Sequence, residues 1–76
     1  MKGGDNMNQP ARYGDTIVAT TQTPLEQDIK EFTYYLPTNQ LRVSYYSTGM
    51  AAYATLEEIQ TFLQLVKEVL INDEIN

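Results

Sequence analysis

The side chains in this sequence with chemistry to offer are six tyrosines, one well-placed arginine and a pair of adjacent glutamates. Tyr34-Tyr35 and Tyr45-Tyr46 are doublets, and Tyr13 and Tyr53 stand alone. Neighbours in a doublet point different ways, so each places one ring inward and one outward. The outward rings either finish the rim of a small core or form an aromatic surface for another protein. Tyrosine, with an apolar body and a polar tip, suits both roles. On the second reading the interface residues are Tyr34, Tyr45, Tyr46 and Tyr53. Arg42 lies in an alternating stretch, on the face opposite Leu41 and Val43. It is either a solvated strand residue, of the kind whose surface pairs contribute little, or a bidentate binder of a carboxylate, for which guanidinium geometry is suited. Glu57 and Glu58 are adjacent on a helical stretch and do not converge on one point. They read as an acidic first turn facing the positive end of a helix dipole.

Composition removes most other chemistry. There is no histidine and no cysteine, so zinc fingers, Cys–His nucleophiles and Ser–His–Asp triads are excluded. Gly3-Gly4 follows no strand, and neither a dinucleotide-binding glycine pattern nor a P-loop occurs. No metal site, catalytic residue or cofactor is expected. Five basic residues face ten acidic ones, for a net charge of -5. The basic residues are scattered, which argues against nucleic acid, and the acidity argues against an anionic membrane surface. No apolar run approaches the roughly 18 residues of a membrane span. The start, MKGGDNMNQP, lacks the apolar core of a signal peptide. The expected compartment is the cytoplasm.

The elements that position these side chains follow from capping and periodicity. Residues 1–15 are rich in glycine, asparagine and proline and read as a flexible arm, with Tyr13 as an anchor should it order on a partner. Residues 16–76 read as one small domain. Thr16 to Thr20 is a short β-branched strand after the turn signal Gly14-Asp15. Thr23, Pro24 and Glu26 form a capping box, and Leu25, Ile29, Phe32 and Leu36 then fall on one helical stripe, predicting a helix over 23–36. Residues 40–47 alternate as a half-buried strand. Met50 to Tyr53 is either a short return strand or an irregular loop. Thr55 and Glu58 make a second capping box, before a broad apolar stripe over 56–71. Asn72 is placed to cap its end, and a frayed tail follows.

The predicted fold is α+β, a small two-layer sandwich of two amphipathic helices on a two- or three-stranded sheet. If the two main strands are parallel neighbours, helix 23–36 is the crossover between them. Ile29, Phe32, Val43, Ile59, Phe62, Leu63 and Val66 are the expected core.

The stretch Leu41-Arg42-Val43-Ser44, followed by Tyr53-Ala54-Thr55-Leu56-Glu57-Glu58-Ile59 and an apolar helix, resembles the C-terminal lobe of class V aminotransferases, the cysteine desulfurase and selenocysteine lyase group. The resemblance covers residues 40–71. It implies a small α+β lobe in which Arg42 holds a substrate carboxylate. Ala54 stands where the family has asparagine, and several extra residues separate Arg42 from Tyr53. The family's cofactor lysine and large cofactor domain have no counterpart, so the resemblance implies a lobe or remnant of a pyridoxal-phosphate enzyme. Two functions therefore compete. One is a non-catalytic protein-interaction module, a homo-oligomer such as a dimer or a small subunit of a larger assembly. The other is a lobe that binds an amino-acid carboxylate through Arg42.

Overall fold

The computed structural model describes residues 7–21 and 29–75. Among them, four strands precede one helix. The strands are β1 (Ala11–Tyr13), β2 (Thr16–Thr20), β3 (Lys30–Tyr35) and β4 (Gln40–Tyr45), and the helix is α1 (Leu56–Ile75). Sequence neighbours are sheet neighbours, in the order β1-β2-β3-β4, and every pairing is antiparallel. The α+β class stands, with four strands and one helix instead of two helices on two or three strands.

The main correction falls on residues 23–36. Lys30–Tyr35, expected as the end of a helix, is the strand β3. The capping residues Thr23, Pro24 and Glu26 lie outside the described residues. The helical stripe through Ile29, Phe32 and Leu36 coexists with an alternation in Lys30–Tyr35, and the alternation prevails because β2 and β4 offer partners on both sides. Phe32 lies between Ala19 of β2 and Val43 of β4 in one cross-strand row. That row satisfies the backbone and gives the ring neighbours on the same face. The strands 16–20 and 40–45 are consequently separated by β3, and no parallel crossover joins them.

The segment expected as an arm also contributes structure. Ala11–Tyr13 pairs with β2, and Met7 bridges Thr21 further along the same edge. The β1–β2 hairpin turns through Gly14 and Asp15, with Tyr13 and Thr16 as its closing pair. Gly14 sits at φ 62°, where a residue without Cβ is favoured. The β3–β4 connection bends at Asn39, φ 57°, a residue that tolerates this region. Its Oδ1 accepts the Tyr34 hydroxyl at 2.7 Å.

After β4 the chain doubles back along that strand's outer edge. The Tyr45 N–H donates to the Met50 carbonyl at 2.8 Å, and the Ala52 N–H donates to the Val43 carbonyl at 3.0 Å. This is an isolated bridge, Ser44 to Ala51, and not a full return strand.

The second capping box forms as expected. The Glu58 N–H donates to Thr55 Oγ1 at 3.0 Å, and the Thr55 N–H donates to Glu58 Oε1 at 2.9 Å. The helix runs past Asn72 to Ile75, so Asn72 is interior and not a cap. An ion pair between Asp73 and Arg12 of β1 holds this last turn, which was expected to be frayed.

The core lies between α1 and one face of the sheet. Ile17, Ala19, Phe32, Phe62 and Val66 are buried there. The Phe32 and Phe62 rings are tilted, with centroids 5.4 Å apart. Of the expected core, Phe32, Phe62 and Val66 are buried, while Ile29, Val43 and Ile59 are half-buried. Leu63 is 38% exposed, a departure from expectation. It lies about 100° round the helix from Phe62, on a flank beside which no second helix lies among the described residues.

Candidate functional site

Strand alternation sorts the sheet's side chains. Phe32 and Val43 reach the core, so their neighbours Glu31, Thr33, Arg42 and Ser44 lie on the opposite face. Among the described residues, no helix covers that face. Its central row runs Ala11, Val18, Thr33, Arg42 across all four strands. The row beside it runs Tyr13, Thr16, Tyr35, Gln40. Tyr13 is 69% exposed and Tyr35 43%. Val18 and Thr33, at the middle of that face, are half-buried.

The predicted interface tyrosines divide between the two sides. Tyr34 pairs with Ile17 and Leu41 on the helix side, is half-buried, and packs against the core. Tyr45 pairs with Lys30 on that same side and is also half-buried. Tyr46 and Tyr53 are exposed, Tyr53 at 92%, in the connection between β4 and α1. The structure therefore does not gather Tyr34, Tyr45, Tyr46 and Tyr53 into one surface. The outward partner of the first doublet, Tyr35, joins Tyr13 on the uncovered face instead.

Arg42 is exposed on that face, as its alternation with Leu41 and Val43 indicated. The other side chain charged at neutral pH among the described residues of this face is Glu31 of β3. Glu31 pairs with Ser44, and Thr33 pairs with Arg42, so Glu31 and Arg42 are diagonal neighbours on adjacent strands. The predicted helix over 23–36 gives Glu31 no strand neighbour. The signal that would have found it is the alternation in Lys30–Tyr35, which puts Glu31 opposite Phe32.

The adjacent glutamates act separately. Glu57 is exposed in the first turn of α1, whereas Glu58 is 6% exposed and faces the sheet. Its Oε1 accepts a hydrogen bond from Lys30 Nζ at 3.0 Å as well as from the Thr55 N–H. Thus Glu58 anchors the helix to β3 through a half-buried lysine. Among the described residues, no three acidic side chains gather as metal ligands would, and Arg42 stands on an open face without a surrounding pocket. Among the described residues, no helix is long and apolar enough to cross a membrane.

No known protein family, curated protein or solved structure matches this chain. The aminotransferase resemblance accordingly rests on the residues quoted for it above.

Proposed function

We propose that this chain is a non-catalytic protein-interaction module that works by docking the uncovered face of its sheet. The observation that carries the reading is a four-stranded sheet with α1 on one side and Tyr13, Tyr35 and Arg42 exposed on the other. Small domains bury a modest share of their surface, about 60% near this length, and gain stability when a partner covers more of it. The absence of histidine and cysteine from the sequence leaves the module without the commonest catalytic groups. Tyrosine and arginine are among the residue types enriched at the energetic centres of protein interfaces.

The carboxylate-binding reading of Arg42 has less support. Firm capture of a small anion needs several donors converging in a recess. The row around Arg42 offers Thr33, Val18 and Ala11, with no second cation beside it among the described residues.

Sedimentation equilibrium on the pure chain, from low micromolar to millimolar concentration, tests the proposal together with thermal melts over the same range. Self-association with a melting temperature that rises with concentration is the expected result. A monomer mass and a concentration-independent melt throughout would overturn the self-associating form and leave only a subunit role beside a different chain.

A further inference from the structure

We infer that the occupant of the uncovered sheet face is a second copy of this chain, related by a two-fold axis that sets Arg42 of each copy against Glu31 of the other. The inference rests on the interaction-module reading and names its partner and its contacts.

Charge selects the partner. At a net charge of -5, two copies repel each other through most of their surfaces. The described part of the uncovered face carries one cation, Arg42, and one anion, Glu31, and is otherwise neutral. It is therefore a face on which two acidic chains meet without net repulsion. Among the described residues, neither of these side chains takes part in a hydrogen bond or an ion pair. Arg12 is paired to Asp73, and Lys30 to Glu58. Arg42 and Glu31 thus keep their pairing capacity for a partner.

Geometry makes the pairing reciprocal. The two residues are diagonal neighbours on β3 and β4, one register step apart. A two-fold axis parallel to the face, lying between the two sheets and perpendicular to the line that joins the two residues at its midpoint, exchanges their positions, so one copy's Arg42 overlies the other's Glu31 and the reverse. An isologous contact of this kind satisfies both charges twice over. The middle of the face, at Val18 and Thr33, is half-buried and uncharged, and packed sheets ordinarily lie about 10 Å apart. Tyr13 and Tyr35 at one end of the face add apolar area. A four-stranded face is about 20 Å wide from strand spacing. The interface therefore falls below the roughly 1,200–2,000 Å² of stable complexes, and the dimer is weak and concentration-dependent.

Charge reversal tests the pairing. Arg42→Glu and Glu31→Arg each place like charges at both cross-interface contacts. Each is expected to weaken dimerisation about tenfold or more, the scale of a close interfacial charge pair. The double variant, with both changes in one chain, is expected to dimerise again. Mixing the two single variants is expected to produce a heterodimer, because opposite charges then face each other at both contacts. Circular dichroism checks that each variant keeps its fold. If the wild type dimerises but both single variants dimerise equally well, the Arg42–Glu31 assignment is overturned while the module reading survives. Single variants that dissociate and are not rescued by mixing also overturn the pairing. A wild type that stays monomeric at millimolar concentration overturns the second copy as occupant and removes the self-associating form of the module reading with it.

Discussion

Lys30 and Glu58 join the middle of the sheet to the start of the helix. Lys30 Nζ donates to Glu58 Oε1 at 3.0 Å, and the same oxygen caps the Thr55 N–H. Both side chains are largely sheltered, with 19% and 8% of their side-chain surfaces accessible. One carboxylate therefore completes a capping box and fixes where α1 lands on β3. Glu58→Gln keeps an oxygen for the Thr55 N–H but loses the charge opposite Lys30, and should cost about 1.5–3 kcal/mol, the scale of a hydrogen bond to a charged group. Glu58→Ala loses the cap as well and leaves Lys30 unpaired, so about 3 kcal/mol is expected. Urea denaturation of both variants checks the order. Equal stability of Glu58→Ala and the wild type would remove this contact from the account.

The Phe32–Phe62 contact ties sheet to helix at the centre of the core. Phe62→Ala should cost about 3–5 kcal/mol through lost burial and a cavity. That is a large part of the stability of so small a domain, so loss of a cooperative thermal transition is expected. Phe62→Leu, which keeps most of the volume, should retain a transition at lower temperature. A cooperative melt near the wild-type temperature for Phe62→Ala would place Phe62 outside the core.

Gly14 tests the hairpin. Nothing lies within 4 Å of the position a Cβ would take, so substitution meets no clash. The remaining cost is conformational, because φ is 62°. Positive φ falls on Gly14 and not on Asp15, the turn type that takes glycine first, so Gly14→Ala should lower stability by about 1–2 kcal/mol. Chemical denaturation checks this, and an alanine variant as stable as the wild type would contradict the turn.

Arg12 and Asp73 connect the edge strand β1 to the last turn of α1. Both are partly exposed, so Arg12→Ala should change global stability by about 1 kcal/mol or less. The local effect should be larger. Amide exchange in the helix beyond Val69 is expected to quicken while exchange around Phe62 stays slow. Uniform acceleration along the helix would mean that this pair supports the whole element.

The two sides of the domain predict opposite responses in association. Tyr35→Asp puts a charge on the uncovered face and should weaken the proposed dimer. Leu56→Asp, at the first helical position, suits the positive end of the dipole and should leave that association unchanged. Sedimentation velocity at matched concentrations reads both. A reversed pattern would move the interface to the helix side.

The sequence by itself determined what depends on near neighbours. Thr55 and Glu58 are three residues apart, and the hydrogen bonds that start α1 run between them, so the helix and its cap were legible without any partner. The alternation of Leu41, Arg42 and Val43 needs one strand alone, and it placed Arg42 on the correct face of β4. Lys30–Tyr35 was different. Its residues satisfy a helical stripe and a strand alternation at once, and only pairing with β2 on one side and β4 on the other decided between them. β1 was hidden for the same reason, because three residues beside a turn become a strand only when β2 supplies the ladder. Glu31 beside Arg42 followed from that decision. Their relation exists only in the register of β3 against β4, a long-range hydrogen-bond pattern that no local spacing in the chain records.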